Sequence, residues 1–179
     1  LYLKSPHTAE LSWATLIAAT AIRSAIAVLV TDEVLVKWPN DVLVNEKKIS
    51  GILAQIQPDG SLILGFGINL KAQAGAPETA TALDLLGVEA DFDSVLHAVV
   101  RNLRIRWAIF EQDPQVAITK ARGELVQHSA TLGRSVRAEL PGGGEVYGIA
   151  HDIDREGRLV IHTPEPVVVS AADVWHLRN

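Results

Sequence analysis

Apolar positions divide the chain into four textures, each with its own period. Residues 11–30 form an alanine-rich apolar run with the length of a membrane span, but Arg23 lies near its centre. A central arginine costs about 2.5 to 3.5 kcal/mol on membrane-insertion scales, so the run predicts a buried helix rather than a span. Thr8 is placed to cap its start, Glu10 suits its positive N-terminal end, and Trp13 reads as a core residue. Residues 34–38 then form a short β-branched and apolar strand. Three further apolar runs follow at 42–44, 49–56 and 62–70, separated by Asn45-Glu46-Lys47-Lys48 and Pro58-Asp59-Gly60-Ser61. Turn residues between short apolar runs predict an antiparallel meander.

The second half changes period. Residues 71–78 are small and polar and predict a surface loop, followed by a short helical stretch over 79–86. Asp91 or Asp93 starts a long helix in which Val95, Leu96, Val99, Val100, Leu103, Trp107 and Phe110 recur at three- and four-residue spacing, with Arg101, Arg104 and Arg106 largely off that face. The break at 111–114 leads into another helix, from Pro114 to about Gln127. From Thr131 onward, short strands alternate with Gly- and Pro-rich turns, which predicts a small, partly open barrel. The expected division is a first domain over 1–127 and a second over 128–179.

Composition narrows the function classes. With 48% apolar residues in 179, the chain can bury a sizeable core, and a net charge of -5 offers no electrostatic footprint for nucleic acid. It has no cysteine, hence no disulfide framework or thiol nucleophile, and its six histidines show no metal-ligand spacing. It also has no methionine and begins Leu1-Tyr2-Leu3, which reads as a strand in mid-domain, so an upstream segment is expected.

Two features carry candidate chemistry. Lys37 closes the 34–38 strand just before a Pro-Asn-Asp turn, and an ammonium buried there needs a partner. That partner is a bound anion, unless the side chain snorkels to water. Gly51, Gly65 and Gly67 lie inside strands, where glycine marks either a bulge or a close approach of ligand to backbone. Gly65-Phe66-Gly67 is no dinucleotide fingerprint, because the third glycine is missing and no helix opens there.

KWPND at 37–41, KKISGIL at 47–53 and GFGIN at 65–69 resemble, in order and spacing, consecutive motifs of the biotin protein ligase family. The resemblance implies an α/β (α+β) fold: a mixed, largely antiparallel sheet with helices on one face, followed by a small SH3-like β-barrel. It implies a two-step reaction in which ATP activates biotin as biotinyl-5′-AMP, with Mg2+, and the acyl group passes to a lysine of the biotin carboxyl carrier domain of acetyl-CoA carboxylase or a related carboxylase. In those roles Lys37 would clamp the biotin carboxylate and the adenylate phosphate, while Gly51, Gly65 and Gly67 let the biotin ring lie on bare backbone. Asn69 would donate to the adenylate. Trp38, Asn40 and Asp41 shape the turn or reach the nucleotide, and Arg178 contacts ATP from the barrel. The implied setting is cytoplasmic, with possible sheet-edge homodimers and no membrane or nucleic-acid partner for this part of the chain. The family's upstream biotin-binding segment and Gly/Arg-rich loop are not in these residues, so the chain alone is expected to bind biotin poorly. Smaller departures from the family pattern are Gln55 and Ala172. The competing readings are a non-catalytic dimerising or regulatory relative and a lipoate–protein ligase.

Overall fold

The computed structural model describes residues 1–4 and 7–177. Strand β1 (Tyr2–Leu3) is followed by a 3-10 turn at Thr8–Trp13 that runs directly into α1 (Ala14–Ile26). Thr8 therefore lies inside the turn and does not cap the helix. Arg23 is accommodated because its Nε donates to the Val34 carbonyl at 3.0 Å and its Nη2 meets His128 Nδ1 at 3.2 Å. That is how a cation fits into an otherwise apolar helix.

Next come β2 (Val34–Lys37), β3 (Asp41–Val44), β4 (Lys47–Ile56) and β5 (Leu62–Ile68). Together with β1 they form one sheet in the order β1-β5-β4-β3-β2, every named pair antiparallel. The β3–β4 turn is tighter than the composition predicts. Only Asn45 (φ 50°) and Glu46 (φ 61°) form the loop, the positive φ pair of a two-residue hairpin, so Lys47 and Lys48 belong to β4. A register shift at Val42/Leu43 leaves Ile49 as the extra residue of a β-bulge, with Ser50 opposite Val42 and Lys48 opposite Leu43.

The loop after β5 is held to the sheet rather than helical. Lys48 N–H donates to the Thr79 carbonyl and Thr81 N–H to the Lys48 carbonyl, and only Asp84–Leu86 form a 3-10 turn. The predicted helix over 79–86 fails because its first residues spend their backbone groups on β4. Helix α2 (Phe92–Gln112) is capped by Asp91, which accepts from Ser94 N–H, and α3 (Pro114–Gln127) by Asp113, which accepts from Gln115 and Val116 N–H. Arg106 differs from expectation. It reaches across to Glu124 of α3 at 2.9 Å and to Ser24 Oγ of α1 at 2.9 Å, and so ties the three helices together.

The last strands, β6 (Ser135–Glu139), β7 (Glu145–Ile153), β8 (Leu159–His162), β9 (Pro166–Val169) and β10 (Asp173–His176), pair in the order β10-β6-β7-β8-β9. No pairing closes β9 onto β10 among the described residues, so the small barrel is partly open. Helix α1 packs on β2, β3 and β4, α2 and α3 pack on α1, and the helices leave the other face of the first sheet uncovered. The architecture is α/β with antiparallel sheets. Buried residues of the two sheets and the helices form one continuous core.

The joint between the sheets is specific. Val36 exchanges backbone hydrogen bonds with the 128–130 linker. Trp38, 2% exposed, donates its backbone N–H to Thr131 Oγ1 and its indole N–H to the Gly157 carbonyl, each at 3.0 Å. Trp13 Nε1 donates to the Arg155 carbonyl at 2.6 Å.

Candidate functional site

The antiparallel register aligns one row across the uncovered sheet face: Lys37 opposite Asp41, Asp41 opposite Gly51, and Gly51 opposite Gly67. One step along the strands, Leu53 lies opposite Gly65. Side chains two residues apart share a face, so all of these point away from the helices. The inward positions Val42, Ser50, Ile52, Leu62 and Leu64 are buried, as that alternation requires.

The glycines make the floor. A Cβ at Gly67 would meet nothing within 4 Å, and one at Gly65 only the Leu53 carbonyl at 3.9 Å, so bare backbone faces open space. A Cβ at Gly51 would meet Lys48 Cε and Nζ at 3.0 Å and Asp41 Oδ1 at 3.6 Å. Lys48 thus lies across Gly51. Its ammonium is 2.6 Å from Asp41 Oδ1, a close ion pair without hydrogen-bond geometry, and it remains half exposed.

Lys48 is the residue that the sequence reading missed. Three positions before Gly51, simple alternation would put it on the helix face. The bulge at Ile49 reverses the parity, buries both Ile49 and Ser50, and turns Lys48 onto the glycine face. Its backbone is clamped from both sides, by Leu43 in β3 and by the 79–81 segment.

Lys37 has a different environment. Its side chain is half-buried and among the described residues makes no hydrogen bond or ion pair. Its Nζ lies 6.0 Å from the centroid of the Trp175 ring. Burial lowers its pKa from the ordinary lysine value; Asp41 and Asp173 oppose that shift, and Lys48 adds to it. On the barrel side, His176 is also held below its ordinary pKa, first by burial and then by Lys37 and Arg134.

The other predicted site residues divide by geometry. Asn69 Nδ2 donates to the Thr81 carbonyl at 2.9 Å and more weakly to the Lys48 carbonyl at 3.4 Å. Both amide hydrogens are committed to protein acceptors, leaving Oδ1 as the group free to meet a ligand. Asn40 Nδ2 donates to the Ile52 carbonyl at 3.0 Å and its own carbonyl accepts from Ile52 N–H, which fixes the turn against β4. Trp38 is a buried ring whose one donor is taken by the Gly157 carbonyl, which makes it a docking residue between the two sheets. Arg178 lies outside the described residues.

The face therefore offers a cation at one end, a flat unobstructed floor, and exposed Leu53 and Ile63 at the other end. That suits a flat, largely apolar molecule with an anionic head. Among the described residues no three His, Cys, Asp or Glu side chains are grouped to hold a metal ion.

Comparison with known proteins agrees. The model of the biotin/lipoate A/B protein ligase family matches residues 4–71, and that of the biotin protein ligase C-terminal domain matches residues 131–177. The biotin–[acetyl-CoA-carboxylase] ligase of Mycobacterium tuberculosis is 40% identical over 176 residues, an alignment covering 93% of this chain and 63% of that protein. The chain belongs to the biotin protein ligase family. Within this family, the bifunctional ligase/repressor BirA of Bacillus subtilis is 29% identical over 171 residues, covering 89% of this chain and 51% of its own length. The chain thus spans between half and two thirds of these relatives. Among solved structures, the biotin protein ligase of Aquifex aeolicus in complex with biotin and ATP matches with a TM-score of 0.82 at 25% identity, over 100% of this chain and 78% of that one. The apo form of the same ligase gives a TM-score of 0.84 at 24% identity, over 98% and 82%.

Proposed function

We propose that this chain carries the sheet face on which a biotin–protein ligase activates biotin with ATP and delivers it to a carrier-domain lysine. The observation that carries the reading is the half-exposed Lys48 ammonium lying over Gly51, beside the open backbone of Gly65 and Gly67. Backbone without side chains lets a fused-ring ligand approach to van der Waals distance, and the ammonium meets its carboxylate. In the first step a carboxylate oxygen attacks the α-phosphorus of ATP, and the bond to the β-phosphate oxygen breaks as pyrophosphate leaves. Two anions must come together, so a fixed cation stabilises the developing charge. In the second step the carrier amine attacks the acyl carbon, AMP departs, and the amine loses a proton.

In this reading Lys48 is the principal clamp, because it lies over Gly51, and Lys37 is the second cation of the same row. Asn69 acts chiefly by fixing the Lys48 backbone and the 79–81 segment, and Asn40 by fixing the turn. Magnesium would arrive on the ATP phosphates. The acceptor is the biotin carboxyl carrier domain of a carboxylase such as acetyl-CoA carboxylase, and such a reaction belongs in the cytoplasm. No helix among the described residues is long and apolar enough to cross a membrane.

ATP–pyrophosphate exchange, measured on the protein extended to the length of its relatives, tests this. Biotin supports exchange and lipoate does not, and Lys48→Gln lowers the rate about 100- to 1000-fold, the usual loss when one transition-state donor is removed. The family model matching residues 4–71 spans both ligase types, so lipoate-dependent exchange would shift the reading to a lipoate ligase. Exchange with neither acid would leave the non-catalytic relative. A larger loss in Lys37→Gln than in Lys48→Gln would return the clamp to Lys37.

A further inference from the structure

The two neighbours of Lys37 are bolted to the barrel side of the molecule. Val36 bonds through both backbone groups to the 128–130 linker, and Trp38 bonds to Thr131 and Gly157. The side chain between them points the opposite way, to the open sheet face, and there it meets the barrel again through Trp175 of β10. We propose that Trp175 is a positioning residue: its indole holds the Lys37 ammonium at the edge of the sheet face while leaving the ammonium's N–H donors free for an anionic ligand. This rests on the ligase reading for its consequence in the reaction, but not for the contact itself.

Three observations converge on the pair. Asp41 is the direct cross-strand partner of Lys37, yet its carboxylate is taken by Lys48 at 2.6 Å, so the obvious internal counter-ion is withdrawn. Secondly, the ring face attracts a cation without accepting a hydrogen bond, and a carboxylate in its place would occupy the donors that a substrate anion needs. Thirdly, Trp175 is itself held: Arg137, directly opposite it on β6, places its guanidinium carbon 5.7 Å from the ring centroid, while Arg137 Nη2 pairs with Glu139 at 2.7 Å. The charged groups that bear on Lys37 are Asp41 and Lys48 from the sheet and Asp173 and His176 from β10. None of them replaces the ring. Trp175 is 52% exposed while its neighbour Val174 is buried, so changing the indole leaves the barrel core in place.

Competitive acetylation of lysines, read by mass spectrometry on this chain, tests the contact without biotin. In Trp175→Leu the rate at Lys37 relative to exposed Lys120 changes about threefold, and Trp175→Phe, which keeps an aromatic face, restores most of the difference. The converse readout is fluorescence. Trp13, Trp38 and Trp107 are at most 5% exposed, so acrylamide selectively quenches Trp175, and Lys37→Gln alters its quenching. An unchanged Lys37-to-Lys120 ratio in Trp175→Leu, with melting like the parent, overturns the proposal. In the extended protein, Trp175→Leu lowers biotin-dependent exchange and shifts its pH profile, and Trp175→Phe restores both. A changed acetylation ratio with unchanged exchange overturns the role in the reaction. If the parent protein shows no biotin-dependent exchange at all, the ligase reading fails while the acetylation result still decides the contact.

Discussion

Gly67→Ala separates ligand floor from scaffold. A Cβ at this position meets nothing within 4 Å, and the residue has no left-handed φ that an alanine would strain. Replacing a strand glycine without strain reduces the freedom of the unfolded chain, so the variant should gain about 0.4 to 1 kcal/mol of stability. For a chain of this size that raises the melting temperature by roughly 1 to 4 °C. The same methyl stands on the open face between the Lys48 end and the Leu53 flank, where a ring resting on the strand would have to lift away from Gly65 and Gly67 together. Overpacking of one methyl into a fitted contact costs about 1 to 3 kcal/mol, which is roughly a 5- to 150-fold loss of biotin affinity. Thermal melting and calorimetric titration of the extended protein measure the two effects on the same samples. Unchanged biotin affinity in a variant at least as stable as the parent would refute the glycine floor. Loss of both stability and affinity would mean that Gly67 serves the fold instead.

Other predictions probe the joint and the electrostatics. Gly148→Ala drives a Cβ into the His162 carbonyl and to 2.8 Å from Ile161 Cγ2, so it should destabilise the barrel by about 3 kcal/mol or more, read by urea unfolding. Trp38→Phe leaves the Gly157 carbonyl without its indole donor and should cost about 1 to 3 kcal/mol, with the barrel strands losing hydrogen-exchange protection first. His176 titrates below its ordinary value of 6.5 in the folded state, so the unfolded chain binds more protons between the two values. Its contribution is fully present above pH 6.5 and declines as the pH falls through the folded pKa; His176→Gln should flatten the stability profile just below pH 6.5. Lys37 gives a rise in stability with pH just below its ordinary 10.5, absent in Lys37→Gln.

The meander, the buried helix with Arg23, the long α2 and the terminal barrel are legible because each has a strong period and clear punctuation. Lys48 is not legible, for two physical reasons. The composition counts it in a four-residue turn, whereas Asn45 and Glu46 alone accept the left-handed conformations that close the hairpin. Alternation then assigns it to the wrong face, because a bulge leaves no mark in residue type. Trp38 and Trp175 show the complementary difficulty. Both are aromatic residues in short segments, and only the docking of the two sheets makes one a buried strut and leaves the other half exposed over Lys37. The Arg106 contacts are likewise set by the crossing of three helices, which one helix's periodicity does not contain.

The most direct test of the biotin face is a titration of the isotopically labelled chain with biotin, followed by amide nuclear magnetic resonance, which detects weak as well as tight binding. The account predicts shifts that saturate together at Gly51, Leu53, Gly65 and Gly67, with Lys48 among them, while the amides of α2 and α3 stay fixed. Shifts confined to the helical side or to the outer barrel strands, or none at millimolar biotin in a folded sample, would contradict it.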